Sequence, residues 1–403
     1  MNITFPLILD GAMGTQIQKR GFRSGECPEL WDLEHKNEVI EIQQSYVDAG
    51  SQILYTPTFG ANAAVLEKNG QLNKVFEFNT KLAEISEEAA GGKALIAGDI
   101  SSTGGLLYPL GDMSFDDLYD IYKEQAEALE AAGVDLFVIE TMTNLPEARA
   151  ALLAVKSVSE KPVFVSFSCD ENGRTMTGTD VCAALMVIQG MGADAFGLNC
   201  STGPKEMAAQ IKRLFEYAEV PLIAKPNAGF PHDESGKTVY DVPADEFKEY
   251  VPLLADAGAK IFGSCCGSDE NYITAIKEAL AGIELKETSP AHPELLPCAT
   301  EKDVFLLDPA AAYENVLACG EDLEEDLYEL EPGELFAVEI TSPEELAAFS
   351  DAQYAIKNPL CIICSNAELL EKTLRAYQGR ALYEGSLSDE ELIPLVSKYG
   401  LII

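Results

Sequence analysis

The sequence predicts an α/β protein: a (β/α)8 barrel followed by a small C-terminal α/β domain. Three observations carry this. Eight short apolar runs lie near 7–10, 52–56, 94–98, 135–140, 162–167, 194–199, 221–225 and 259–264. Their starts are 27 to 45 residues apart, room for one strand, one helix and loops each. A glycine of the helix-stop kind precedes four of them, at Gly50, Gly133, Gly192 and Gly258. Every run ends in polar residues, as the catalytic rim of a barrel does. An open doubly wound sheet would instead carry a G-x-G-x-x-G loop, and Asp10-Gly11-Ala12-Met13-Gly14-Thr15 is not one.

The elements follow in order. One intervening helix is explicit: Ser114 stands as N-cap with Asp117 three residues on, and Leu118, Ile121, Tyr122 and Leu129 fall at helical spacing. Past residue 280 the alternation stops. Residues 286–302 contain Pro290, Pro293 and Pro297 and read as a linker between a barrel at 1–285 and a domain at 303–403. That domain shows strand-like runs at 304–308, 335–340, 360–364, 381–383 and 401–403. Helical stretches at 309–319, 343–350, 366–377 and 388–398 alternate with them. Eight acids crowd the 14 residues 321–334, a solvated loop or helix face. No role is assigned to the domain.

Length and composition agree. A chain of 403 residues suits two domains, and 47% hydrophobic residues suffice for a core. No run is long and apolar enough to span a bilayer. Met1 to Pro6 has no basic, signal-like start, and ten cysteines then suggest a reducing cytoplasm. A net charge of −39 argues against nucleic acid and anionic membranes as partners. Residues 301–403 hold 22 acidic and 6 basic side chains against 45 and 22 before them, about twice the net charge per residue. Solubility accounts for this; a basic partner is the alternative.

The strand ends carry the chemistry. Strand 6 ends in Asn199-Cys200 and strand 8 in Cys265-Cys266-Gly267. One strand separates them, so their ends lie about 10 Å apart at an interstrand spacing of roughly 4.8 Å. Side chains reaching inward can share one soft metal ion, and Gly267 allows the turn that lets adjacent cysteines both ligate. Three thiolates leave a fourth position of a zinc ion open, the mark of a catalytic site. The other reading is three buried core cysteines. An open thiolate-zinc site would take a substrate thiol and hold it as thiolate. Asp10 and Glu140 suit an ammonium group, and the N–H groups of the loop from Gly11 suit a carboxylate. Strand 7 ends in Lys225 and Asn227.

These motifs resemble the homocysteine S-methyltransferase family. Leu9-Asp10-Gly11-Ala12-Met13-Gly14-Thr15, Glu140-Thr141, Gly197-Leu198-Asn199-Cys200, Lys225-Pro226-Asn227-Ala228-Gly229 and Gly263-Ser264-Cys265-Cys266-Gly267 carry the resemblance. Within the family, residues 1–285 most resemble the homocysteine-binding barrel of cobalamin-dependent methionine synthases. The resemblance implies zinc on Cys200, Cys265 and Cys266. It implies homocysteine contacts at Asp10, Gly11, Ala12, Met13, Glu140 and Asn199. It offers Asn227 as a fourth zinc neighbour when substrate is absent. Residues 303–403 faintly resemble part of a folate barrel, but five strands cannot close one, and folate binding is not expected. The methyl donor then comes from elsewhere: methylcobalamin on a separate corrinoid protein, or S-methylmethionine or another onium compound. A non-catalytic zinc- or thiol-binding module is the reading from another class.

Three further features stay open at this level. Cys361 and Cys364 form C-x-x-C inside an apolar run and read as core. Trp31 is either part of a lid or a packed surface aromatic. The polar segment 232–245 could fold over the barrel mouth or meet a partner.

Overall fold

The computed structural model describes residues 4–108, 111–234 and 237–403. Its largest sheet has eight parallel strands: Leu7–Ile8, Ile53–Tyr55, Leu95–Ile100, Leu136–Met142, Val163–Phe167, Ala195–Asn199, Leu222–Lys225 and Ala259–Phe262. These are strands one to eight below. Two to eight pair in sequence order, and eight pairs with one. The seam between one and two is closed by fewer bonds. The Gln52 backbone N–H donates to Ile8 O at 2.7 Å, and the Gln52 side-chain oxygen accepts from Ile8 N–H at 2.9 Å. One strand-turn further on, Asp10 Oδ2 accepts from Tyr55 N–H at 2.8 Å. The predicted barrel is therefore present, and a residue expected at the site helps to close it.

Alternation along the strands fills the inside. Leu7, Leu9, Ile53, Tyr55, Leu136, Val138, Phe164, Ile223 and Ile261 form one interior cluster, while neighbours such as Leu54, Phe137 and Phe262 pack outward under the helices. The four predicted helix-stop glycines all have positive φ, from 81° to 123°. Ser114 and Asp117 form a full capping box on helix Phe115–Ala132, worth about 1 kcal/mol.

The C-terminal part is a four-stranded parallel sheet of Asn315–Leu317, Phe336–Glu339, Leu360–Ile363 and Leu382–Glu384, with helices Leu323–Glu329, Pro343–Ala352, Ala367–Ala376 and Asp389–Tyr399. Three readings change here. The stretch 309–319 is not helical. Asp308 instead makes a turn, its side chain accepting from Ala310 N–H at 2.7 Å, and Asn315–Leu317 pairs with Phe336 to Val338. Strand pairing overrides the helix propensity of the three alanines there. Residue Ile402 forms only an isolated bridge to Leu382. The stretch 286–302 carries a strand of its own, Leu296–Ala299, paired antiparallel with Val304–Leu307, and Cys298 and Ala299 in it are fully buried. Cys361 and Cys364 are buried, as their apolar run implied.

The two parts are packed together. Helices Leu145–Val158 and Val181–Gly190 are buried almost all round, because the C-terminal elements cover the faces turned away from the barrel. Arg149 is wholly buried in this contact and donates to Leu374 O at 2.9 Å and Gln378 Oε1 at 2.5 Å. Burial lowers its pKa to about 10, which still leaves it charged at neutral pH. Among the described residues no helix is long and apolar enough to cross a membrane.

Candidate active site

The thiol half of the site comes from strands six and eight, with strand seven between them. Cys200 leaves strand six with φ of 60°, and Ser201 follows at 57°. Two consecutive non-glycine residues in the left-handed region cost about 1–2 kcal/mol each. The bend turns the chain out of the pleat and points the thiol inward. At strand eight, Cys265 N–H donates to Pro226 O at 2.8 Å, Ala228 N–H donates to Cys266 O at 3.0 Å, and Gly267 turns back with φ of 88°. A Cβ at 267 would lie 2.5 Å from the Tyr240 ring, so glycine serves both the turn and the close approach.

The outcome is three sulfurs within 4.8 Å of one another, with Cys200 Sγ and Cys266 Sγ 3.9 Å apart. A tetrahedral centre with bonds of about 2.3 Å spaces its sulfur ligands by about 3.8 Å. The donor set therefore fits one thiophilic divalent ion. Without an ion the thiols oppose each other's ionisation. In Cys200 the contact with Cys265 favours the thiolate, but Cys266 and burial outweigh it and push the thiol up to about 11. Cys266 is pushed up to about 12, and Cys265 higher still. The Tyr240 side chain hydrogen-bonds Cys266 and favours its thiolate. Tyr240 follows a short hairpin, His232–Glu234 with Lys237–Val239. The polar segment thus does reach the barrel mouth.

The loop after strand one is stitched to the cysteine turn. Ala12 N–H donates to Ser268 Oγ at 3.2 Å, Gln16 donates to Ser268 O at 2.6 Å, and Gly267 N–H donates to Thr15 Oγ1 at 3.2 Å. Tyr46 supports the loop from behind through a 2.6 Å bond to Ala12 O. Gly11, Ala12 and Met13 line the same cavity of about 270 Å³ as the three cysteines. The Ala12 N–H is already bonded to Ser268, so it is not a free donor for a ligand carboxylate.

The carboxylate half comes from strands one, three and four. Asp10, Asp99 and Glu140 line the cavity and are at most 7% exposed. Burial pushes the Asp10 and Glu140 carboxyls upward, and the Lys225 ammonium pulls them back. Burial and the Glu140 charge push the Asp99 carboxyl well above its ordinary value. Lys225, which the motifs mark only as the polar end of strand seven, lies 3.3 Å from Asp10 Oδ1 and 3.6 Å from Glu140 Oε2. Burial disfavours its ammonium, but Glu140 and Asp10 outweigh that and hold its pKa well above the ordinary lysine value. A lysine ending an otherwise apolar strand was the available signal.

Asn199 differs from expectation. It does not line the cavity. Its oxygen accepts from Thr141 N–H and Ser166 Oγ, both at 2.9 Å, and its nitrogen donates to Thr141 Oγ1 at 2.7 Å and Glu140 Oε2 at 3.4 Å. It braces strands four, five and six and orients Glu140. Thr141, with φ of 58°, is held left-handed by these bonds. Asn227 is buried beside the cysteine turn and its Oδ1 has no hydrogen-bond partner. Trp31 is buried, stacked 4.0 Å from His35, and is no lid. Its segment instead gives the cavity Glu29 and Asp32, both buried; Asp32 Oδ1 has no partner.

Residues 7–280 match the homocysteine S-methyltransferase family. The chain belongs to that family. The methionine synthase of Mycobacterium tuberculosis is 28% identical over 334 residues, covering 78% of this chain and 27% of that protein. The methionine synthase of Mycobacterium leprae is 30% identical over 294 residues, covering 68% and 24%. The chain thus spans about a quarter of the length of these relatives. The solved homocysteine methyltransferase MmuM from Escherichia coli, in its oxidised form, superposes with a TM-score of 0.57 at 23% identity, over 68% of this chain and 95% of that one. That likeness shows a shared fold.

Proposed function

We propose that this chain is an enzyme that methylates the thiol of homocysteine to give methionine, with zinc on Cys200, Cys265 and Cys266. The observation that carries this is the placement of three mutually close thiols and the Asp10–Glu140 pair on one cavity. Zinc, when bound, acts as a Lewis acid that lets a thiol stay deprotonated at neutral pH. The chain's own residues do the rest. Asp10 and Glu140 receive the α-ammonium, and the loop at Gly11 and Met13 faces the carboxylate. Asn199 holds Glu140 in place, and the loop-to-turn bonds through Ser268 fix the distance between amino acid and sulfur. The substrate sulfur then forms its new bond to the methyl carbon, and the bonding pair of the broken bond stays with the donor.

Methylcobalamin on a separate corrinoid protein is the proposed donor; the similarity of the chain to methionine synthases supports a corrinoid-borne methyl group. Glu29 and Asp32, which bring two further buried carboxyl groups to the cavity, favour a second reading in which a small onium compound such as S-methylmethionine donates, its positive charge favouring their ionised form. Ten free cysteines suit a cytoplasmic setting. The test is methionine formation from homocysteine by zinc-loaded protein across a donor panel. Turnover with a methylated corrinoid protein and none with S-methylmethionine supports the first donor, and the reverse supports the second. No turnover with any methyl donor overturns the assignment.

A further inference from the structure

Among the described residues, Lys225 is the one basic side chain lining the cavity. Its place is built by its neighbours. A Cβ on Gly263 of the adjacent strand end would stand 3.0 Å from Lys225 Cγ, so a glycine there keeps a lane for the lysine stem. The ammonium ends over the Tyr55 ring, 4.2 Å from its centre, and between Asp10 and Glu140. Those carboxylates come from strands one and four, and Lys225 from strand seven. The lysine thus ties together groups that no local sequence joins. Asp10 Oδ1 still has no hydrogen-bond partner, so the ion pair leaves an acceptor open to a second N–H donor.

The charges in this corner add up simply. With Asp10 and Glu140 ionised, these two carboxylates and Lys225 carry one net negative charge between them, which a single ligand cation matches. Without the lysine, two buried carboxylates would face each other with no resident counter-ion, and one would take up a proton. Resting on the reading of the site given above, we infer that Lys225 is a positioning and specificity-determining residue: it keeps Asp10 and Glu140 charged and aimed at one point, so that the cavity selects a thiol bearing an α-ammonium over the same thiol without one. In this role it acts on binding, through the two carboxylates.

The experiment is calorimetry on zinc-loaded, full-length protein with homocysteine and with 4-mercaptobutyrate, which is homocysteine without its amino group. Lys225→Met and Lys225→Gln are compared with the unaltered chain, and zinc affinity is measured by competition with a chromophoric chelator. Lys225→Met is expected to weaken homocysteine by about thirtyfold, the effect of breaking a buried charge contact, and 4-mercaptobutyrate by less than about threefold. Zinc affinity is expected to change by less than about threefold. Lys225→Gln keeps the stem and a polar end, and carries the test if the methionine variant does not fold. Equal weakening of both thiols, a parallel fall in zinc affinity, or unchanged selectivity in the variants would overturn this inference alone. Failure of the unaltered protein to bind homocysteine would overturn it together with the function proposed above.

Discussion

The two halves of the cavity are built by different means. The thiol half is a matter of backbone. Cys200 sits left-handed at the end of strand six, and Gly267 reverses the chain after Cys265 and Cys266. The carboxylate half is a matter of burial and charge. Asp10, Asp99, Glu140 and Lys225 come from four strands; ion pairs to Lys225 hold Asp10 and Glu140, and Asp99 is buried in the same cavity. The first half uses bond geometry to bring like groups together until a metal is favourable. The second half uses opposite charges to offset the burial of Asp10, Glu140 and Lys225. Changes in one should therefore move metal binding, and changes in the other should move substrate binding.

The largest effect should follow from breaking the thiol half. Cys266→Ala removes one of three ligands, and zinc content together with methyl transfer should fall, activity by about a thousandfold or more. A variant that kept both would show that the sulfurs are core packing. Next comes the carboxylate half. Glu140→Gln leaves the shape and removes the charge, so KM for homocysteine should rise by about thirtyfold while zinc stoichiometry stays unchanged. Loss of zinc in that variant would mean that the halves are not separable.

The smallest effect concerns stability. Burial and the neighbouring Glu29 hold the Asp32 carboxyl well above its ordinary value. A raised folded-state pKa means that the folded protein keeps a proton the unfolded chain has lost. The resulting stability is full below the unfolded value near 3.8 and is lost as pH rises through the folded pKa. Asp32→Asn removes this titration. It should raise stability at neutral pH relative to acid pH, by about 1.4 kcal/mol for each unit of the raised pKa. Melting curves from pH 4 to 8 measure it, and identical pH profiles for the two proteins would count against a buried, protonated Asp32.

The same division governs what the sequence made legible. The barrel was readable because strand alternation and helix-stop glycines are local signals, and Gly50, Gly133, Gly192 and Gly258 all have the backbone they implied. Cys200, Cys265 and Cys266 were readable because their strand-end positions converge by topology alone. Lys225 was not, since its role depends on Asp10 and Glu140 arriving from strands far away in sequence. Asn199 reads as a substrate contact in sequence, and only the folded chain shows that Thr141, Ser166 and Glu140 use up its carboxamide. Glu29 and Asp32 flank Trp31 in sequence, but only the folded chain shows that the ring is buried while the two carboxyls line the cavity. In the C-terminal part, the run of alanines near 310 outweighed a pairing with Phe336 to Val338 that local propensity does not encode. The docking of the two parts had a signal that was there to be used: helices Leu145–Val158 and Val181–Gly190 are apolar on nearly every face.

The central claim is that the three thiols form an open metal centre whose vacant position takes the substrate sulfur. X-ray absorption at the zinc edge tests it most directly, on the zinc-loaded protein before and after homocysteine is added. The account predicts three sulfur neighbours rising to four, at about 2.3 Å. A sulfur count that does not change on adding homocysteine, or a protein that does not retain zinc, would contradict it.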